Sequence, residues 1–114
     1  MKAFNLQTSI HDALGFAKNC QLYVKGIGHE RFRDDLLAMS AVQYNLIVLS
    51  EALKRIGFVS PKNIERDLEK KFIALGEELI DKYNNVDSYK VWMSINTDLP
   101  SLINALEKLL SDKK

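Results

Sequence analysis

Apolar residues recur every three or four positions along most of this chain, which is the spacing of one face of an α-helix. The longest series predicts a helix over residues 32–56, with Phe32, Leu36, Met39, Val42, Leu46, Leu49, Leu53 and Ile56 on one face. Its apolar surface widens at residues 46–49, which favours a helix that is central in a bundle or pressed against a second subunit. Asn45 and Glu51 share this apolar region, and we expect both to reach solvent at its edge.

The residues before this helix predict another helix and a connector. The first helix is expected to begin at Thr8 or Ser9, because either hydroxyl can accept a hydrogen bond from the first turn. Gly26 and Gly28 are expected to end it, since glycine readily adopts the left-handed conformation of helix C-termini. The polar residues 29–31 then predict a connecting loop.

The second half of the chain predicts two or three more helices. Ser60 and Pro61 have the order of a helix cap followed by a first helical position, so a third helix is expected to begin there. It is expected to stop at residues 84–85, after which Asp87 or Ser88 can cap a fourth helix. Residues 98–100 (Asp-Leu-Pro) either kink that helix or begin a new one.

Together these segments predict an all-α fold, an up-and-down bundle of four to five helices. The length of 114 residues fits one domain over residues 1–114, large enough to bury about 65% of the surface of its unfolded chain. Sixteen Lys and Arg residues against 15 Asp and Glu give a net charge of +1. Dedicated nucleic-acid binders usually carry a basic excess, so this balance weakens an RNA-binding role without excluding it.

The sequence also predicts the cellular compartment of the protein. A single cysteine, Cys20, precludes an intramolecular disulfide and indicates a reducing compartment. The N-terminus lacks the apolar core of a signal peptide, and no uninterrupted apolar run approaches the roughly 18 residues of a membrane-spanning helix. We therefore expect a cytoplasmic protein that does not associate with membranes.

Familiar catalytic and metal-binding motifs are missing from the sequence. His11 and His29 are separated by a predicted helix, and no Glu-x-x-His pair occurs, so we expect neither a metal nor a cofactor. Cys20 occupies an apolar helical position and is expected to be a small core residue. The sequence contains neither a glycine-rich phosphate loop nor a serine nucleophile elbow.

One acidic segment, LGEELIDKYNNVD at residues 75–87, stands out from the rest of the sequence. Glu77 and Glu78 lie four and three positions before Asp81, which places three carboxylates along one edge of a helix near its C-terminus. Two such charges about 6 Å apart repel each other by roughly 1 kcal/mol in water. The helix dipole adds a penalty of about 0.3–1 kcal/mol at this end, which Lys82 can offset in part. The segment is either an exposed acidic patch that the fold tolerates or a functional site.

Three segments carry a family resemblance: IHDALGFAKNCQLYVKG, FRDDLLAMSAVQYNLIVLSEALKRI and LGEELIDKYNNVDSYKVWMSINTDLPSLINAL. The elements that recur in order are Asn45-Leu46, Glu51-Ala52, Tyr83, Val86-Asp87, Val91-Trp92 and Asp98-Leu99-Pro100. In this ordered set the chain resembles the HepT-like family of the HEPN superfamily. The resemblance extends over almost the whole length.

The resemblance implies a homodimer whose cleft holds an Arg-x4-His-x-Tyr motif that cleaves RNA without a metal ion. It also implies a partner, a minimal nucleotidyltransferase antitoxin that can adenylylate the motif tyrosine. Alignment on Tyr83 places Gly76 at the arginine position, Glu77 at the neighbouring polar position and Asp81 at the histidine position. Tyr83 is the one motif residue that is kept.

These replacements change the expected chemistry. Histidine suits acid–base catalysis near neutral pH, whereas an aspartate such as Asp81 is normally ionised and is a poor proton donor. Glycine at position 76 removes a cation that would steady a phosphate, and the carboxylates would repel one. RNA is therefore a disfavoured partner at this site.

Three functions remain open at this point. The first is a HepT-like partner of a minimal nucleotidyltransferase, with a degenerate catalytic site and with Tyr83 as the modified residue. The second is an active ribonuclease toxin that uses Asp81, Tyr83 and carboxylates from both subunits, Glu77 among them, with or without a divalent metal. The third is a non-enzymatic helical interaction module.

Overall fold

A computed structural model describes residues 5–59 and 66–112. This part of the chain forms six helices and no strand: α1 (Leu6–Val24), α2 (His29–Asp34), α3 (Leu36–Val59), α4 (Arg66–Asp81), α5 (Ser88–Thr97) and α6 (Leu99–Asp112). The all-α bundle predicted from the sequence is confirmed, with one helix more than expected. The predicted helix start at Ser60 and Pro61 lies outside the described residues.

Helix α1 begins one turn earlier than predicted. Asn5 caps it, with its Oδ1 accepting a hydrogen bond of 3.0 Å from the backbone N–H of Thr8. Thr8 and Ser9 therefore lie inside the helix, and the predicted cap was wrong. The predicted end is confirmed: α1 stops at Val24, and Gly26 has a φ of 76°, a conformation that glycine adopts without a steric penalty.

The predicted loop at residues 29–31 is wrong, because these residues begin the short helix α2. Phe32 is a fully buried residue of α2 rather than the start of the long helix. The break falls at Asp35, whose backbone is extended and whose Oδ1 accepts a hydrogen bond of 3.0 Å from the N–H of Ala38. This cap starts α3 at Leu36, which is 79% exposed instead of being part of the core.

Helix α3 lies at the centre of the bundle, packed against α1 and α4. Its buried residues are Ala38, Val42, Asn45, Leu46, Leu49, Ser50, Ala52, Leu53 and Ile56. By length and composition, Leu36–Gly57 could also cross a membrane, a feature that a search for uninterrupted apolar runs misses. The central position of α3 accounts for part of this apolar character, since 44% of the stretch is buried, whereas Leu36, Leu37 and Tyr44 are exposed.

Two polar residues of α3 behave differently from each other. Asn45 is buried, so the prediction that it reaches solvent was wrong. Its Nδ2 donates to the carbonyl of Ala41 at 2.8 Å, and its Oδ1 accepts from Nδ2 of Asn19 in α1 at 3.1 Å. These hydrogen bonds offset the cost of burying the amide. Glu51 is exposed, as predicted.

The C-terminal helices follow the sequence signals closely. Asp87 caps α5, because its Oδ1 accepts a hydrogen bond of 3.0 Å from the N–H of Lys90. Asp98 separates α5 from α6, and Pro100 falls in the first turn of α6, where a missing backbone N–H costs little. The Asp-Leu-Pro segment therefore begins a new helix. Cys20 is a buried core residue as predicted, and burial raises the pKa of its thiol to about 12.

Candidate functional site

Tyr83 lies in the turn that joins α4 to α5, and 71% of its surface is exposed. The turn is short and ordered by backbone hydrogen bonds, from Lys82 N–H to the Glu78 carbonyl at 2.9 Å and from Asn85 N–H to the Lys82 carbonyl at 2.8 Å. These bonds continue the end of α4 and fix where the Tyr83 ring leaves the backbone. The ring borders an open groove of about 480 Å³.

We call this feature the Tyr83 groove. Its lining consists of Arg33, Asp34, Leu36, Met39, Ser40, Gln43, Tyr83, Asn84 and Val86. One wall therefore comes from the α4–α5 turn, and the other comes from the end of α2 and the first two turns of α3. The lining combines apolar side chains with a hydroxyl, two amides, one guanidinium, one phenol and the carboxylate of Asp34.

Arg33 is a residue of this groove that sequence reasoning missed. Its Nε donates to Oδ1 of Asp34 at 3.1 Å, and its Nη2 donates to Oδ2 at 3.5 Å. The hydrogen bond to Asp34 raises the pKa of Arg33, so the guanidinium stays charged. No sequence signal links Arg33 to Tyr83, because they are 50 positions apart and line the same groove only through the packing of α2 against α3 and α5.

The three carboxylates of the acidic segment do not form one cluster. Glu77 pairs with Lys54 of α3 at 3.4 Å, while Glu78 pairs with Lys90 of α5 at 2.7 Å. Asp81, the last residue of α4, is exposed. The two lysines come from different helices and offset much of the repulsion that the sequence predicts.

The acidic residues also lie apart from the groove. Among the described residues that line the Tyr83 groove, Glu77 and Asp81 are missing, so the structure does not bring these two candidates together with Tyr83 there. Within residues 5–59 and 66–112, no group of three or more His, Cys, Asp or Glu side chains is placed to hold a metal ion.

Gly76, at the arginine position of the family motif, faces the core rather than the groove. It is buried where α4 crosses α3. A Cβ atom added here would overlap both Oγ and Cβ of Ser50 and would lie 3.1 Å from the carbonyl oxygen of Leu46. In this chain the position serves the close approach of two helices and has no room for a side chain directed at a substrate.

His29 links the two walls of the Tyr83 groove, because it joins α2 to the beginning of α5. Its Nε2 is hydrogen-bonded to Oγ of Ser88 at 3.0 Å, and its ring meets Tyr89 edge-on with centroids 5.1 Å apart. Nearby, Nε1 of Trp92 donates to the carbonyl of Ile27 at 3.1 Å. These contacts tie α2 to α5, so they set the position of Arg33 relative to the turn that carries Tyr83.

Comparison with known proteins places the chain in a family. Residues 13–109 match the family model described as ribonuclease HepT-like. Two proteins of Methanocaldococcus jannaschii, provisionally named RNase MJ0125 and RNase MJ1216, are each 25% identical over 112 residues. These alignments cover 95% of this chain and 93% and 89% of the two relatives. No solved structure gives a significant match. Because the family model covers most of the sequence, the chain belongs to the HepT-like ribonuclease family.

Proposed function

We propose that this protein is the HepT-like component of a toxin–antitoxin-type pair with a minimal nucleotidyltransferase. In this proposal it is a cytoplasmic homodimer that binds the transferase and presents Tyr83 for modification, while its own RNA cleavage is impaired or lost. The observation that carries the proposal is an exposed Tyr83 on a groove whose described lining contains no histidine. Family membership supplies the ribonuclease ancestry.

Impaired catalysis follows from the groups available near Tyr83. Cleavage of RNA without a metal ion requires a proton acceptor and a proton donor that work near neutral pH. The described lining of the Tyr83 groove supplies a phenol, the Arg33 guanidinium and the Asp34 carboxylate that is paired with it, and it contains no imidazole. Asp81 is not among the described residues that line the groove. Position 76 has no room for the arginine side chain of the family motif.

Retained modification follows from the accessibility of Tyr83. A transferase must bring a nucleoside triphosphate up to the phenolic oxygen, which requires an exposed side chain on a protruding segment. Tyr83 meets this condition, because it is 71% exposed and belongs to the turn between two helices. No large movement of the bundle is needed to present it.

A homodimer is supported by the apolar surface at the start of α3. Leu36 and Leu37 are 79% and 84% exposed, and Tyr44 on the same helix is 63% exposed. Large apolar side chains grouped on a surface are typical of protein–protein interfaces. We propose that a second copy of this chain covers Leu37 and Tyr44.

The alternative function is an active ribonuclease, and one observation favours it. Arg33 supplies the Tyr83 groove with a cation that could hold a phosphodiester. The two readings are separated by incubating purified protein with labelled RNA, with and without Mg²⁺ or Mn²⁺, beside Asp81→Ala and the control Asp12→Ala, an exposed acid on α1. We expect no cleavage above background. Cleavage that Asp81→Ala abolishes and Asp12→Ala preserves would establish the active enzyme instead.

The modification is tested with a minimal nucleotidyltransferase, which the proposal predicts to be encoded beside this gene. Intact-mass measurement after incubation with ATP should show the addition of a nucleotidyl group to the wild-type chain and none to Tyr83→Phe. Tyr89→Phe is the matched control, because Tyr89 is 54% exposed and lies six positions further along the chain. Equal modification of Tyr83→Phe and wild type would overturn the role of Tyr83. Binding without any modification would favour the non-enzymatic interaction module.

A further inference from the structure

The geometry points to the Tyr83 groove as a binding site for a nucleoside 5′-phosphate unit, with Arg33 on the phosphate and the apolar lining under the base. This inference rests on the proposed function, in which Tyr83 receives a nucleotidyl group. It adds what happens to that group after transfer: the nucleotide folds back into the groove beside the tyrosine instead of extending into solvent.

The phosphate end of the site is defined by Arg33. A guanidinium carries five N–H donors in a planar fork that suits phosphate oxygens. The pair with Asp34 engages Nε and one N–H of Nη2, which leaves the Nη1 amino group unengaged by that pair. Because the Arg33 side chain is about half exposed, it can turn toward a phosphate without the cost of breaking a buried contact.

The base end is defined by the two walls of the groove. Leu36 and Met39 of α3 face Val86 of the α4–α5 turn and offer apolar surface, while the amides of Gln43 and Asn84 can hydrogen-bond the edges of a base. A few polar groups on an apolar lining are typical of small-molecule sites, whose volumes run from roughly 300 to 1,000 Å³. The groove volume of about 480 Å³ lies within this range.

The transfer step that fills the site is chemically balanced. The phenolic oxygen of Tyr83 attacks the α-phosphorus of a nucleoside triphosphate, and a new P–O bond forms to the tyrosine. The bond from that phosphorus to the oxygen that bridges to the β-phosphate breaks, pyrophosphate leaves, and the phenolic proton is released to solvent. The product is a phosphodiester with one negative charge, held beside Arg33 at a high effective concentration by its covalent link.

The groove is tested first without the partner. We propose to titrate adenosine 5′-monophosphate into the ¹⁵N-labelled protein and to follow the amide signals of Met39, Gln43 and Val86. Arg33→Ala should weaken the binding by about three- to tenfold, since an exposed charge-assisted hydrogen bond is worth no more than that. Arg33→Lys should retain part of the affinity because it keeps the positive charge.

The control variant is Arg31→Ala, which removes an exposed arginine of the same helix that lies outside the lining of the Tyr83 groove. It should bind the nucleotide as wild type does. Adenosine, which lacks the phosphate, should bind equally weakly to wild type and Arg33→Ala. Equal affinities of Arg33→Ala and Arg31→Ala for the nucleotide would overturn the inference, and so would the absence of shifts at the groove residues.

Two further experiments, a phosphodiesterase assay and a titration with oligoadenylate, identify the source of the nucleotide. In protein already modified on Tyr83, the attached group should be removed by a phosphodiesterase several-fold more slowly from wild type than from Arg33→Ala. A short oligoadenylate that binds more tightly than the mononucleotide, with the same dependence on Arg33, would instead identify an RNA chain as the source. A modified Tyr83 with equal removal from both variants refutes the inference alone, whereas an unmodified Tyr83 refutes the proposed function.

Discussion

Restoring a side chain at Gly76 should destabilise the protein rather than rebuild the family motif. In the helix α4, replacing glycine by alanine is intrinsically favourable by about 1 kcal/mol. Here the new Cβ would overlap Oγ and Cβ of Ser50 in α3. The Ser50 hydroxyl can rotate away, but its Cβ is fixed by the backbone, so the two helices must separate.

The size of the effect follows from these opposing terms. Overpacking of a close helix contact costs typically about 1–3 kcal/mol. After subtraction of the gain in helix propensity, Gly76→Ala should lower the free energy of unfolding by about 0–2 kcal/mol. Gly76→Arg, which places a long charged side chain in the same contact, should lower it by more than about 3 kcal/mol and should give no ribonuclease activity.

Urea denaturation followed by circular dichroism measures these changes, and a double-mutant cycle isolates the contact. Ser50→Gly removes the two Ser50 atoms that the new Cβ would overlap and leaves the contact of 3.1 Å with the Leu46 carbonyl oxygen. Gly76→Ala made in the Ser50→Gly background should therefore be more favourable than in wild type by about 1–2 kcal/mol. Gly15→Ala is the matched control, because Gly15 lies in α1 with nothing within 4 Å of its added Cβ. It should stabilise the protein by up to about 1 kcal/mol.

One outcome would refute this reasoning. If Gly76→Ala stabilises the chain as much as Gly15→Ala does, and Ser50→Gly leaves that effect unchanged, α4 does not approach α3 closely at this point. Position 76 would then be free to direct an arginine toward solvent. Regaining the motif would in that case require Gly76→Arg together with Asp81→His, and that double variant should be assayed for RNA cleavage.

Two further predictions concern the surface and the core. Leu37→Glu should convert the proposed homodimer into a monomer, as measured by light scattering. The control Leu22→Glu, at a 65% exposed position of α1, should remain a dimer. A wild-type chain that is monomeric at micromolar concentration would reject the interface. Burial raises the pKa of Cys20 from 9.0 to about 12, so the unfolded chain loses this proton first as the pH rises. Stability should therefore fall between pH 9 and 12, and a Cys20→Ala variant with an equally steep fall would contradict this cause.

The sequence determined the features that depend on neighbours along the chain. Apolar spacing located the long helices and the buried position of Cys20. The sequence narrowed the cap of α5 to Asp87 or Ser88, and it limited residues 98–100 to a kink or a new helix, because a short polar side chain or a proline acts on its own backbone turn. The structure selects Asp87 and a new helix that begins at Leu99. Asn5 was missed because Thr8 and Ser9 could cap equally well, and Asp35 was missed because the apolar spacing runs from Phe32 into α3 without interruption.

The chemistry of the candidate site was decided by tertiary structure. The segment around Tyr83 was recognisable in the sequence, which predicted that its acidic residues repel one another. The sequence does not show that Lys54 and Lys90 reach two of these residues from other helices and offset the repulsion. Arg33 lines the Tyr83 groove because α2 packs against α5, a contact between helices that are far apart in the sequence. Local patterns fix helices because their hydrogen bonds are local, whereas a site is assembled from side chains that only the folded bundle brings together.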